Sequence, residues 1–195
     1  MKAAAPSRLA SSGLWRRVKG IGLERFELLR ETGGWTIRGT IIALGERGPA
    51  EARYTICCDA AWRTQTTDIS LREASGARSL RVRADQGHWF ENGQEKKDLA
   101  GSVDIDLGWS PSTNTIAIRR LDLPLGSLSG PLTMAWVRFP ELTIEPSAQE
   151  YRRVDRLRYR YTSGNGFSAL IDVDGEGLVV EYEGVWQRVV ETHKD

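Results

Sequence analysis

Residues Ser102–Leu123 read SVDIDLGWSPSTNTIAIRRLDL, two runs in which apolar and polar residues alternate, separated by a Gly-Trp-Ser-Pro-Ser loop. Period-two alternation places successive side chains on opposite faces of a strand, so the two runs predict a hairpin. With Leu107 opposite Asn114, Ile105 faces Ile116, and Ile105, Leu107, Ile116 and Ile118 form one apolar face. The reverse face then collects Asp104, Asp106, Thr115, Ala117 and Arg119. Asp104 lies diagonal to Arg119 at roughly 7–8 Å, within reach of a guanidinium. A slip by one residue would mix isoleucine with aspartate on both faces. Arg120 falls on the apolar side of this hairpin, where its charge has to be paired, reach the rim or meet a ligand.

The same pattern extends in both directions. A turn at Gly164-Asn165-Gly166 sets Leu157, Tyr159, Tyr161, Ala169, Ile171 and Val173 on one face, with Arg158 opposite Asp172 and Arg156 opposite Asp174 on the other. Beyond Trp15, alternating runs rich in Thr, Ile, Val, Tyr and Trp are broken by turn signals such as Gly33-Gly34, Asn92-Gly93 and Asp174-Gly175. Turns of this kind every 8–12 residues or so predict an all-β fold of about a dozen strands. No amphipathic helix is expected; Leu14–Val18 and Ser147–Arg153 are at most short helical turns. Val82–Gly93 and Val173–Gly184 both run from an acidic turn through glycine into an aromatic strand, a likeness that hairpin composition alone produces.

The chain has 195 residues, enough for one domain with its own core. We expect a disordered leader over residues 1–12 and a single domain over residues 13–192. The leader is basic but has no apolar stretch of signal-peptide type, and no run approaches the length of a membrane span, so a cytoplasmic protein without a membrane-spanning segment is expected. Lysine plus arginine number 27 against 26 acidic residues, which offers no field for nucleic acid. Cys57 and Cys58 are the only cysteines and are adjacent. They give neither a disulfide framework nor a thiolate metal site and are expected to pack as small apolar residues. No cofactor or metal is expected.

Other motifs point to no reaction. Asp104 and Asp106 resemble a carboxylate pair but are too few ligands for Mg²⁺ or Ca²⁺. His88 and His193 are the only histidines, too few for a histidine zinc site or, with His193 in the tail, a convincing triad. Gly126–Gly130 places Leu128 where a nucleophile elbow needs serine. Seven tryptophans suit both a core and a pocket wall. Trp62 beside Arg63, and Trp109 in the loop beside the carboxylates, are the candidates for stacking on a sugar.

A resemblance joins these segments. Leu14-Trp15, GLERFEL (Gly22–Leu28), ARYTICCDAAWRTQ (Ala52–Gln65), the Ser102–Leu123 stretch, WVRFPELTIEP (Trp136–Pro146), the Gln149/Tyr151 pair and DGEGLVVEYEGVWQRV (Asp174–Val189) resemble, in order, a bacterial family named for glycolipid binding and formerly a domain of unknown function. The chain carries Ala117 and Ser102 where that family often has proline and cysteine. The resemblance implies a β-roll, a long antiparallel sheet curled about an apolar interior like the bacterial carriers of lipoprotein acyl chains. It implies a glycolipid or related amphiphile as ligand and offers no catalytic residues.

Three functions follow as expectations. The first is a non-catalytic binder that lays an acyl chain against the inner face, with Arg119, Arg120, Asp104, Asp106, Gln149 and Tyr151 at the mouth holding a polar head. The second is a protein-interaction module that uses its arginine-rich faces without a cavity. The third is a sugar-conjugate hydrolase using Asp104 and Asp106, which stand about 7 Å apart on one strand face; an arginine partner would lower their pKa values and spoil the acid. The binder ranks first and the enzyme last.

Overall fold

A computed structural model of the chain describes residues 7–193. Its strands are β1 (Arg8–Arg17), β2 (Gly22–Glu31), β3 (Gly34–Gly45), β4 (Gly48–Asp59), β5 (Thr64–Glu73), β6 (Gly76–Asp85), β7 (His88–Glu91), β8 (Gln94–Glu95), β9 (Ile105–Leu107), β10 (Leu132–Arg138), β11 (Thr143–Asp155), β12 (Arg158–Ser163), β13 (Ser168–Val173), β14 (Val179–Tyr182) and β15 (Trp186–His193). One α-helix, α1 (Ser112–Leu121), and a 3₁₀ turn at Lys97–Leu99 complete the described elements. All fifteen strands form one open sheet in the order β8-β7-β6-β5-β4-β3-β2-β1-β15-β14-β13-β12-β11-β10-β9. Two meanders are thus joined where β1 pairs with β15, giving the all-β fold expected.

The sheet rolls so that its far ends meet. The Ile105 amide donates to Thr64 Oγ1 (3.2 Å) and the Trp89 indole to the Ser102 carbonyl (3.0 Å). Arg78 donates to the carbonyls of Pro140 and Glu141. Curvature is helped by a row across β1 to β4 in which glycine and aromatic residues alternate as partners: Gly13, Phe26, Gly39, Tyr54. Each ring lies over the neighbouring glycine. A Cβ on Gly13 would meet the Phe26 ring at 2.7 Å, and one on Gly39 the Tyr54 ring and hydroxyl at about the same distance.

The interior holds Trp15, Phe26, Trp89 and Tyr151, all at most 2% exposed, together with α1. Here the structure departs from the predicted hairpin. Only Ile105–Leu107 is a strand, and it pairs with β10 in parallel, so the sheet is mixed. Parallel neighbours need a crossover, and α1 supplies it. Thr113, Thr115, Ile116 and Ile118 look strand-like, but every residue from Ser112 to Ile118 is buried, and a helix satisfies its own backbone in the middle of a core where a lone strand would not. Pro111 precedes the first turn, Ser110 Oγ accepts the Ser112 amide (3.0 Å), and Asp122 ends the helix with φ +39°. The apolar face shared by Ile105 and Ile116 and the Asp104–Arg119 ladder therefore do not exist as drawn.

Other expectations divide. The second hairpin forms in the predicted register, with Tyr159 opposite Ile171, Tyr161 opposite Ala169, and Arg158 bonded to Asp172 through two nitrogens. Arg156 does not face Asp174: it sits in the turn before β12, after a bulge at Arg153/Asp155, and Asp174 is bonded to Arg188 (2.6 Å). Leu14–Val18 and Ser147–Arg153 contain strand residues, not helical turns. Arg8–Ser12, placed in the leader by the sequence, belong to β1; residues 1–6 of that leader lie outside the described residues. Cys57 and Cys58 are free thiols in β4, Cys58 buried and its thiol pushed up by that burial. Among the described residues no helix is long and apolar enough to cross a membrane.

Candidate functional site

Helix α1 lies between two cavities. Its N-terminal residues face a cleft of about 520 Å³, and its C-terminal residues face a smaller one of about 340 Å³. The two differ in chemistry.

The larger cleft has Asp106 and Gln149 as its polar centre, with Ser110 just before α1, Asn114 in its first turn and aromatic walls from Trp136, Tyr161, Phe167, Tyr182 and Trp186. Strand β9 delivers Asp106, whose carboxylate accepts from Thr113 Oγ1 (2.9 Å) and Gln149 Nε2 (2.5 Å). Thr113 Oγ1 in turn accepts the Leu107 amide, so one hydroxyl ties β9 to the helix. Burial raises Asp106 above the usual carboxylate range, while the bonds from Gln149 and Thr113 pull it back. Beneath the floor, Asn114 Nδ2 donates to the Tyr151 hydroxyl (2.9 Å). Tyr151 is raised by burial and by Asp106. Tyr161 packs edge-on to Tyr182 at 5.9 Å and tilts against Phe167 at 6.2 Å.

Among the described residues no lysine, arginine or histidine lines this cleft, whereas Asp106 and Glu145 do. Such a site repels anions, accepts hydrogen bonds from neutral hydroxyls at a carboxylate, and offers flat rings to an apolar ligand face.

Behind Ser110 sits a second buried acid. Glu24 is fully buried, and its Oε1 accepts from Tyr54 and from Ser110 Oγ (2.7 Å). Ser112 shares a hydrogen bond with Ser110 (2.6 Å), while Glu24 Oε2 has no hydrogen-bond partner. Burial pushes the Glu24 carboxyl up to about 8, against the opposing pull of Tyr54, Ser110 and Arg17.

The predicted site residues separate into three groups. Asp106 and Gln149 meet at the cleft floor, with Tyr151 directly below. Asp104 and Arg120 form a buried ion pair (2.6 Å) on the other side of the helix, and burial outweighs Arg120 to hold Asp104 above its ordinary value. Arg120 thus points inward because of helix geometry and meets a carboxylate. Arg119 lines the smaller cavity with Arg153 and Arg156. Its guanidinium lies 5.2 Å above Trp62, which stacks on Trp35 at 4.8 Å.

Trp62 and Arg63 do not act together: Trp62 is buried, whereas the Arg63 side chain is exposed and 3.9 Å from Asp59. Trp109 is buried between Phe139 and the Arg17 guanidinium and does not line the cleft. The sequence reading missed Asn114, Tyr161, Tyr182 and Glu24 as site or near-site residues. Glu24 had a readable signal, since it shares strand parity with Phe26 and Leu28 in GLERFEL.

Comparison with known proteins adds two findings. A model of the family described as "Putative glycolipid-binding" matches residues 13–188. The crystal structure of a DUF1089 family protein from Pseudomonas aeruginosa is similar over 91% of this chain and 96% of that one, with 32% identity and a TM-score of 0.79. No curated protein matches the chain.

Proposed function

The chain belongs to the glycolipid-binding family, and from that premise we propose that the cleft at the start of α1 holds the sugar head of a neutral glycolipid without altering it. The observation that carries this reading is the Asp106–Gln149 pair at the floor of an aromatic-walled cleft lined, among the described residues, by no cationic side chain. Sugar hydroxyls donate to Asp106 and Gln149 Oε1, while Tyr161, Phe167 and Trp136 offer rings for the apolar face of a pyranose. The acyl tail stays outside. The interior expected to receive it is occupied by α1 and by buried aromatic side chains.

A non-catalytic role is supported by what each acid does. The hydrolase reading needs Asp104 and Asp106 as a pair, but Asp104 is bonded to Arg120 and Asp106 to Thr113 and Gln149.

Calorimetric titration with monomeric octyl glucoside, octyl sulfate and an alkyl phosphocholine tests the proposal. The glucoside is expected to bind, the sulfate and phosphocholine not. Asp106→Asn and Gln149→Ala should each weaken binding roughly tenfold or more, the loss typical of a hydrogen bond involving a charged group. Equal binding of the phosphocholine, or no effect of either substitution, would contradict the proposal.

A further inference from the structure

If the tail of a glycolipid cannot enter the roll, the head must be recognised while the lipid remains in its bilayer, and the surface around the cleft has to meet that bilayer. One surface beside the cleft has the right composition. Val18, Ile21, Leu23, Ile42 and Leu44 are 43%, 68%, 48%, 51% and 49% exposed, and they are neighbours. Leu23 and Ile42 are directly paired across β2 and β3, the Leu44 amide donates to the Ile21 carbonyl (3.0 Å), and Val18 and Ile21 belong to the β1–β2 connection. Scattered exposed aliphatics are ordinary, but five large ones grouped at the ends of paired strands form a patch.

The patch adjoins the cleft. The Val18 amide donates to the carbonyl of Val185 (2.9 Å), and Val185 lines the cleft. The neighbouring Arg17 places its guanidinium 5.3 Å from the ring of Trp186, another lining residue. The edge of the patch is basic: Arg16 near the end of β1 and Lys19 in the connection stand on either side of Val18, and both are exposed. Arg16 is bonded to the neutral Gln187 (2.5 Å), so its charge is not cancelled there. Of the acids on the adjoining strands, Glu27 is bonded by both Arg25 and Arg38, and Glu51 by Arg53.

We propose that this aliphatic patch, with Arg16 and Lys19 at its edge, docks the protein on an anionic lipid bilayer beside the cleft mouth. The inference rests on the proposed head-group reading for its purpose, but its own evidence is the patch. Aliphatic side chains of this kind enter the interfacial region of a bilayer, and basic residues add attraction to anionic headgroups. The charge complementarity favours lipid over a second copy of the chain, since a symmetric pairing through this patch would bring two copies of the same basic edge, Arg16 and Lys19, into one interface.

Sedimentation of the full chain with vesicles tests this, using phosphatidylcholine alone and phosphatidylcholine mixed with phosphatidylglycerol, both without sugar lipid. Binding is expected to the mixed vesicles, weaker at high salt, and reduced about fivefold by Lys19→Gln. Leu23→Ser and Ile42→Ser are expected to lower it about tenfold each. Both positions lie outside the cleft, so octyl glucoside titration should remain unchanged and shows that the variants are folded. If the mixed vesicles do not bind while octyl glucoside does, the docking inference fails and the head-group reading stands. If the vesicles bind through the patch but octyl glucoside does not, the docking surface stands and the head-group reading fails. A concentration-dependent dimer abolished by Leu23→Ser, without vesicle binding, would overturn the lipid assignment.

Discussion

Glu24 should make the stability of this fold fall as pH rises through neutrality. It sits on the inward face of β2 between Gly22 and Phe26, fully buried, with Tyr54 and Ser110 on one oxygen and no hydrogen-bond partner on the other. Burial raises its carboxyl from 4.5 to about 8. Between those values the folded chain holds a proton that the unfolded chain has released. Its contribution is therefore complete below the unfolded value and is lost as pH rises through the folded one. The full interval corresponds to about 5 kcal/mol, of which about 2 kcal/mol falls between about pH 6 and pH 8. For a domain of this size the loss lowers Tm by about 4–8 °C. Urea denaturation and calorimetry at the two pH values should show this fall in the wild type and its disappearance in Glu24→Gln, which keeps a carbonyl acceptor for Tyr54 and Ser110 but cannot ionise. Asp104 and Asp106 are shifted in the same direction and remain in both proteins, so the difference between the two isolates Glu24. An equal pH dependence in Glu24→Gln, or a wild type whose stability rises from pH 6 to pH 8, would refute the reasoning.

Three further outcomes are expected. Arg120→Ala leaves the buried Asp104 carboxylate unpaired and should cost about 3 kcal/mol in urea denaturation, with Asp104→Asn in the same chain restoring part of the loss. Gly39→Ala drives a Cβ against the Tyr54 ring and hydroxyl; it should destabilise by about 1–3 kcal/mol and, by displacing Tyr54 from Glu24, alter the pH dependence as well. Because burial holds Asp106 above its ordinary 3.8, affinity for octyl glucoside should drop on acidification through a pH above that value, as the acceptor becomes protonated. Asp106→Asn should flatten this profile in titrations run across the acid range.

Sheet regions with sustained alternation and glycine at the turn were legible from sequence down to individual cross-strand pairs, as Arg158–Asp172 shows. The region around α1 was not. Thr113-Asn114-Thr115-Ile116-Ala117-Ile118 alternates like a strand, and what makes it a helix is burial on every side, a property of the surroundings rather than of the segment. Ser110-Pro111 was the local hint of a helix start. The error propagated to the charges: on a strand Arg119 and Arg120 take opposite faces, whereas on the helix they reach the arginine-lined cavity and Asp104. Parity alone places Glu24 inside, on the face of β2 that carries Phe26 and Leu28. The Asp106–Gln149 bond joins residues 43 positions apart through a parallel pairing that no local pattern announces. The expectation of an acyl chain against the inner face presumes open space in the roll, and α1 with buried aromatic side chains occupies that interior.

The most direct test of the head-group cleft is to map amide chemical-shift changes as octyl glucoside is added to the isotopically labelled protein. With the head group in this cleft, the changes gather at Asp106, Gln149, Tyr161, Asn165 and Phe167 and disappear with Asp106→Asn. Changes confined to Arg119, Arg153 and Arg156, or none at saturating glucoside, would contradict that placement.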